Sequence, residues 1–306
     1  MIKTRGLTRR YGSMLAVRNV DLDVPAKTIF GFIGPNGAGK TTTLRMLATL
    51  LRPTSGQIEI DGDDAIIDPV KVRHRIGYLS DTFGLYDDLK VWEYLDYFCG
   101  AYSIENASEK VAEVLELVQL SNKRDEFVGK LSRGMRQRVG IARTLVYEPK
   151  VILLDEPANG LDPIARIALR DLLRTLRDRG TTVIVSSHIL TELSDFCDTV
   201  GIMELGRMVV SGSIEKILAQ TRKHLHLVME VLGPPEKARE VLSGEAKVFD
   251  VVIDGSKLDM GFSGEREDIP ALHKKLVEAG VPLISFYPKV ENLEDLFMRL
   301  STGATN

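Results

Sequence analysis

The run Gly34-Pro35-Asn36-Gly37-Ala38-Gly39-Lys40-Thr41 has the residue types and spacing of an anion cradle. It fits the pattern G-x-x-x-x-G-K-[ST], in which glycines let backbone N–H groups turn inward without a Cβ in the way. A helix starting directly after such a loop adds the partial positive charge of its N-terminus. In that setting Lys40 reaches the β and γ phosphates of a nucleotide as a point charge, Thr41 offers its hydroxyl to Mg²⁺, and Thr42 is placed to hydrogen-bond the α phosphate. A plain glycine-rich turn with Lys40 in solvent is the competing reading, and the flanking elements argue against it.

A second chemical pair follows the apolar run Val151-Ile152-Leu153-Leu154. Asp155 and Glu156 emerge where a buried parallel strand ends, the edge at which open α/β sheets bind ligands. Asp155 is expected to hold Mg²⁺ through water. Glu156 is expected to orient the water that attacks the γ phosphate, acting as general base.

Positioning these groups takes strands alternating with helices. Residues 15–24 alternate as a half-buried strand does, 28–33 form an apolar strand ending at Gly34, and 42–51 read as a helix stopped by Pro53. Further strands are expected at 57–61, 76–79, 151–154, 182–186, 200–203 and 208–211, with a helix over 163–179. Residues 85–146 carry helical periodicity instead, as in the stripe Val111, Val114, Leu115 and Val118. Past residue 220, strands at 224–231, 247–253 and 258–262 and helices at 269–279 and 293–300 suggest a small accessory domain. The expected fold is therefore α/β, a P-loop NTPase with a mixed, mostly parallel sheet, a helical subdomain at about 85–146 and a small C-terminal α+β domain, divided as 1–220 and 221–306.

The chain has 306 residues, 44% of them hydrophobic, and a formal net charge of −3, which excludes a disordered tail and a small disulfide-stapled scaffold. Lys and Arg number 40 against 43 Asp and Glu, so no basic excess points to a nucleic-acid backbone and no nucleic-acid partner is expected. No stretch approaches the ~18 to 20 uninterrupted apolar residues of a membrane span, and the N-terminus lacks the apolar run of a secretory signal. Cys99 and Cys197 match no zinc-ligand spacing and fit a reducing compartment.

The segment Leu131-Ser132-Arg133-Gly134-Met135-Arg136-Gln137-Arg138 completes a set of motifs that resembles the ATP-binding subunits of ATP-binding cassette (ABC) transporters. On residue types alone, Ser132 is a good helix N-cap and Gly134 leaves backbone exposed beside it. The resemblance implies that the chain hydrolyses ATP with Mg²⁺. It implies that Ser132 and Gly134 face the γ phosphate held by another protomer's loop, so that two ATP lie between head-to-tail subunits. It also implies that Tyr11 stacks on adenine, that His188 touches the γ phosphate, and that Asp162, within Asn159-Gly160-Leu161-Asp162-Pro163, belongs to a loop joining the two active sites. Ordinary structural roles stay open for Tyr11, as a strand-end tyrosine, and for Asp162-Pro163, as a helix cap and first helical residue. Asp81 stands where many such subunits carry glutamine, and is expected to ligate Mg²⁺ or its water; Arg133 and Met135 replace the family's usual glycine and glutamine.

The stretch Glu291-Asn292-Leu293-Glu294-Asp295-Leu296-Phe297-Met298-Arg299-Leu300 resembles the C-terminal segment of ATPase subunits from the ABC-2, or multidrug-exporter, branch. That implies export through a separate ABC-2-type transmembrane permease docked near residues 81–88, with a homodimer or heterodimer of ATPase subunits peripheral on the cytoplasmic face of the cell membrane. A soluble ATP-gated scaffold acting in translation or DNA repair is the alternative. Relatives of that kind carry two fused cassettes or a long coiled-coil insert, and this sequence reads as one cassette with neither.

Overall fold

Ile29–Ile33, Val151–Leu154 and Thr182–Ser187 are buried along their whole length in the computed structural model, which describes residues 1–214, Ile217 and residues 225–289. Strands covered on both faces can be apolar at nearly every position, which is why these runs show no alternation. The described chain divides into two units, Met1–Ile214 and Glu215–Asn306, a boundary slightly ahead of the expected residue 220.

In the first unit the order is β1 (Ile2–Tyr11), β2 (Met14–Val24), β3 (Ile29–Ile33), α1 (Lys40–Leu47), β4 (Ser55–Ile60), β5 (Asp63–Asp64), α2 (Pro69–Arg73) and β6 (Ile76–Leu79). Then come α3 (Val91–Ala101), α4 (Ala107–Leu117), α5 (Arg133–Leu145), β7 (Val151–Leu154), α6 (Pro163–Asp178), β8 (Thr182–Ser187), α7 (Leu190–Ser194), β9 (Thr199–Glu204) and β10 (Arg207–Ser213). Six strands form a mixed sheet in the order β10-β9-β3-β8-β7-β6, parallel except for the edge strand β10. A second, antiparallel sheet has the order β2-β1-β4-β5, and its Ile2, Leu7, Val20 and Ile58 share one core with Phe30, Phe32, Leu44, Leu47 and Leu153.

The register of the mixed sheet aligns the strand ends that matter. Ile33 pairs with Ser187, Leu154 with Val185, and Leu79 with Leu154. The C-terminal ends of β3, β8, β7 and β6 therefore lie side by side, and the segments leaving them carry residues 34–41, His188, Asp155-Glu156 and Asp81. The helical stripe behaves as its spacing requires, with Val111, Val114, Leu115 and Val118 all buried.

One helix differs from expectation. α1 starts at Lys40 and ends at Leu47, against the expected 42–51. Gly39, with φ 105°, turns the chain so that Lys40 is already helical, and Thr49, with φ 58°, ends the helix while the amides of Leu50 and Leu51 fold back onto the Arg45 carbonyl.

The second unit contains β11 (Leu225–Val231), α8 (Glu236–Ser243), β12 (Val248–Asp254), β13 (Lys257–Phe262), α9 (Ile269–Glu278) and β14 (Leu283–Lys289). Its antiparallel sheet has the order β12-β13-β11-β14, which with the βαββαβ sequence is the ferredoxin-like arrangement. α8 and β14 escape sequence reading for physical reasons. α8 buries only Ala238 and Leu242, so its apolar stripe is thin. β14 is an edge strand that contains Pro288, a residue that argues against a strand unless one side needs no ladder bond. The helix expected at 293–300, with its stripe of Leu293, Leu296, Phe297 and Leu300, lies outside the described residues.

Candidate nucleotide site

The loop between β3 and α1 needs glycine at specific points. A Cβ on Gly34 would sit 2.2 Å from the Met203 carbonyl oxygen, and one on Gly39 would sit 2.5 Å from that of Ala16. Only a residue without a side chain lets the loop pass this close to its neighbours. Lys40 then folds back over the loop: its Nζ donates to the carbonyl oxygens of Gly34 at 2.6 Å and Pro35 at 3.3 Å, and meets Glu156 Oε1 at 3.1 Å.

Asp155 follows β7 and is 2% exposed. The Ser186 hydroxyl of β8 donates to Asp155 Oδ1 at 2.8 Å and accepts from the Glu156 amide at 2.9 Å, so one side chain fixes both acidic residues. Burial pushes the Asp155 carboxyl above the usual carboxylate range. Hydrogen bonds from Ser186 and Thr41 pull it down, and the nearby charges of Glu156 and Asp81 raise it again. A buried carboxylate with a threonine hydroxyl bonded to it fits a divalent ion. Among the described residues no cluster of three or more His, Cys, Asp or Glu side chains is arranged to hold an ion.

Glu156 adopts φ 48°, a left-handed conformation rare for a residue with a side chain. Its carboxylate is held between two partners, Lys40 on Oε1 and His188 Nδ1 on Oε2 at 2.8 Å. Beside this cluster opens a cavity of about 380 Å³, within the size range of small-ligand sites. Residues 36–42 line it together with Tyr11, Met14, Ala16, Asp81, Glu156, Asn159 and His188. Tyr11 is 41% exposed, with the Arg9 guanidinium 4.7 Å from its ring centre, so the ring is braced by a cation and still open to a ligand.

Most of the residues singled out from sequence thus meet in one place, with Gly34 and Pro35 contributing carbonyls that hold Lys40. Ser132, Gly134 and Asp162 are not among the residues that line the cavity. Ser132 Oγ caps α5 by accepting from the Met135 amide at 3.3 Å, and Asp162 caps α6 by accepting from the Ala165 amide at 2.8 Å. Gly134 packs so closely on α6 that a Cβ there would lie 2.7 Å from Ala165 Cβ. The Arg133 guanidinium lies against Gly160. Met14 and Ala16, which line the cavity, escape the sequence reading, and so do two polar site residues. Ser186 has a visible signal, a hydroxyl at the end of the apolar run Val183-Ile184-Val185, where a buried polar group needs a partner. Asn159 lines the cavity and shows no signal beyond its place in the loop before Asp162.

Comparison with known proteins places this geometry. A family model described as ABC transporter matches residues 17–159. The bacitracin transport ATP-binding protein BcrA of Bacillus licheniformis is 36% identical over 308 residues, spanning 100% of this chain and 98% of that protein. The chain belongs to the ABC transporter ATP-binding proteins. The Nod factor export ATP-binding protein I of Burkholderia orbicola is likewise 36% identical, over 98% of this chain and 96% of its own. Among solved structures, an ATP-binding subunit of an ABC transporter matches with TM-score 0.65 and 29% identity, covering 72% of this chain and 93% of that one. A dimeric ATP-binding cassette in a post-hydrolysis state, bound to ADP and phosphate, matches with TM-score 0.63 and 27% identity over 70% and 98% of the two chains. This ABC transporter subunit is accordingly an ATPase built on the P-loop α/β fold. Among its described residues no helix is long and apolar enough to cross a membrane.

Proposed function

We propose that this ABC ATPase cleaves Mg²⁺-ATP in a head-to-tail pair of subunits, homodimeric or heterodimeric, and that closing and reopening of the pair drives export through a separate ABC-2-type permease. The observation that supports the catalytic part is the contact of Glu156 with both Lys40 and His188 at the wall of the nucleotide cavity. Lys40 exchanges Glu156 for β and γ phosphate oxygens when ATP enters. The released Glu156 carboxylate then accepts the proton of the attacking water, and His188 orients that carboxylate or reaches the γ phosphate.

Thr41 and, through water, Asp155 would hold Mg²⁺, with Asp81 on the ion or its water, and bound there it would supply charge neutralisation for the phosphates. Tyr11 stacks on the adenine, and Thr42 with the amides of residues 36–41 holds the remaining phosphates. Ser132 and Gly134 serve a nucleotide on the partner's loop, and Asp162 joins the two sites. Relatives aligned along nearly their full length are named for bacitracin transport, Nod factor export and daunorubicin resistance, which supports export and, with it, a peripheral position at the cytoplasmic membrane face.

The deciding experiment is Glu156→Gln. Mg²⁺-dependent ATP hydrolysis is expected to fall at least ~100-fold while ATP stabilises a dimer visible by size-exclusion chromatography. Robust turnover by that variant removes Glu156 from its role. Co-purification in detergent with a multi-span membrane protein tests the permease, and retention on ribosomes or DNA at moderate salt would favour the scaffold reading instead.

A further inference from the structure

We propose that Glu192 is a positioning residue for hydrolysis, holding the backbone around His188 in fixed relation to the Leu161-Asp162 turn. The proposal rests on the reading of His188 given above. Glu192 lies on α7, directly after His188, and its side chain is 10% exposed. Its Oε2 accepts from Ser187 Oγ at 2.9 Å, and the same Ser187 oxygen accepts from the Ile189 amide at 3.0 Å. One hydroxyl therefore brackets His188 from both sides, and the acceptor-only carboxylate of Glu192 fixes which way that hydroxyl points.

The other carboxylate oxygen, Oε1, is buried and forms an ion pair with Arg166 Nη1 at 3.0 Å that lacks hydrogen-bond geometry. Arg166 in turn donates from Nε to the Leu161 carbonyl at 3.1 Å, one residue ahead of the helix-capping Asp162. On the far side, the Ser187 carbonyl accepts from the Gly34 amide at 3.3 Å, which ties the network to the phosphate loop. A continuous polar path thus runs from Gly34 through Ser187, Glu192 and Arg166 to Leu161.

Packing does not duplicate this path. A cavity of about 260 Å³ opens beside it, lined among others by Pro157, Arg166, Ser187, Glu192 and Phe196. α7 has five residues and no side-chain N-cap. The Arg174 guanidinium of α6 also donates to the carbonyl of Asp195, at the end of α7, at 2.8 Å, so the Glu192–Arg166 ion pair is a second tie between these helices, and the one nearer His188. Without it, the Ser187 hydroxyl loses the acceptor that sets its direction and His188 loses its fixed approach to Glu156, while the backbone bond from the Gly34 amide to the Ser187 carbonyl involves no Glu192 atom and stays in place. The effect therefore falls on turnover and not on ATP binding.

The test uses the full-length purified subunit with Mg²⁺-ATP. Glu192→Ala is expected to lower kcat by about 10- to 100-fold, with KM and the affinity for a fluorescent ATP analogue within about threefold of wild type. Arg166→Ala is expected to shift kcat in the same direction, and the Arg166→Ala/Glu192→Ala double variant to be no worse than Glu192→Ala alone. Should Glu192→Ala fold poorly, Ser187→Ala carries the same expectation, because it removes the bracket around His188 and leaves the ion pair intact. Wild-type kcat in Glu192→Ala or Ser187→Ala overturns the proposal, as does a parallel loss of kcat and nucleotide affinity, which marks a merely structural role. His188→Ala separates the two readings. Full turnover there removes both His188 and Glu192 from the mechanism, whereas an inactive His188→Ala beside an active Glu192→Ala removes Glu192 alone.

Discussion

Lys40 and Glu156 meet across the wall of the nucleotide cavity at 3.1 Å, with the lysine side chain 6% and the glutamate side chain 13% exposed. Two charges this far from water are costly alone and tolerable together, so removing either partner would leave an uncompensated buried charge. The cluster proposed to act in hydrolysis therefore also carries a stability test.

Removing the lysine separates these roles. Lys40→Ala is expected to abolish ATP hydrolysis, by at least ~100-fold in a phosphate-release assay, since the point charge on the transferring phosphoryl group is gone. It also takes away one of the two partners of the mostly buried Glu156, leaving His188 on Oε2, so its melting temperature should fall below wild type and recover in part in the Lys40→Ala/Glu156→Gln double variant. A double variant less stable than Lys40→Ala would contradict the pairing.

Asp155 carries a pH signature. Its carboxyl titrates above the usual carboxylate range because burial disfavours the charge, so the native protein takes up that proton more readily than the unfolded chain does. The contribution is stabilising at acid pH and is lost as pH rises through the raised native value. Asp155→Asn should therefore raise the melting temperature of the nucleotide-free protein at neutral pH, by an increment that shrinks as the solution is acidified. The same variant should lose the additional stabilisation that Mg²⁺ gives in the presence of ATP. Differential scanning fluorimetry across pH, with and without Mg²⁺-ATP, reads both.

Ser186 joins two acidic residues through one oxygen, at 2.8 Å to Asp155 and 2.9 Å to the Glu156 amide. Ser186→Ala leaves a buried carboxylate and a buried amide short of partners, with an expected cost of about 1–3 kcal/mol in chemical denaturation. Activity should fall further than folding does, because Glu156 sits in a left-handed conformation that the lost bond helped to hold. An unchanged kcat in folded Ser186→Ala would show that the Glu156 backbone needs no such tether.

Tyr11 offers the cavity an aromatic face with Arg9 behind it. Tyr11→Ala should raise KM for ATP about tenfold with little change in kcat, while Tyr11→Trp stays near wild type, since stacking on a base is worth roughly 1–3 kcal/mol and needs only a π face. Equal KM values for the two variants would place the base elsewhere.

The parts of this site that lie within one loop were legible in the sequence. Residues 34–41 and Asp155-Glu156 each carry their chemistry in adjacent positions, and the runs before them name their strands because strands buried on both faces must be apolar. β14 and α8 were not legible, since an edge strand with Pro288 and a helix burying only Ala238 and Leu242 owe their existence to the neighbours they cover. Ser186 ends an apolar run, which marks it as a buried polar group in need of a partner, but nothing local says that the partner is Asp155.

The sequence by itself determined which groups are present to bind a triphosphate and attack it, since residue type and local spacing specify the loop, its helix and the acidic pair. Only the tertiary structure decided their partnerships. Lys40 reaches Glu156, His188 reaches Glu156, and Ser186 reaches Asp155 because the register of β3, β8, β7 and β6 brings four strand ends level, and contacts between residues far apart in the chain depend on that pairing and not on any local pattern.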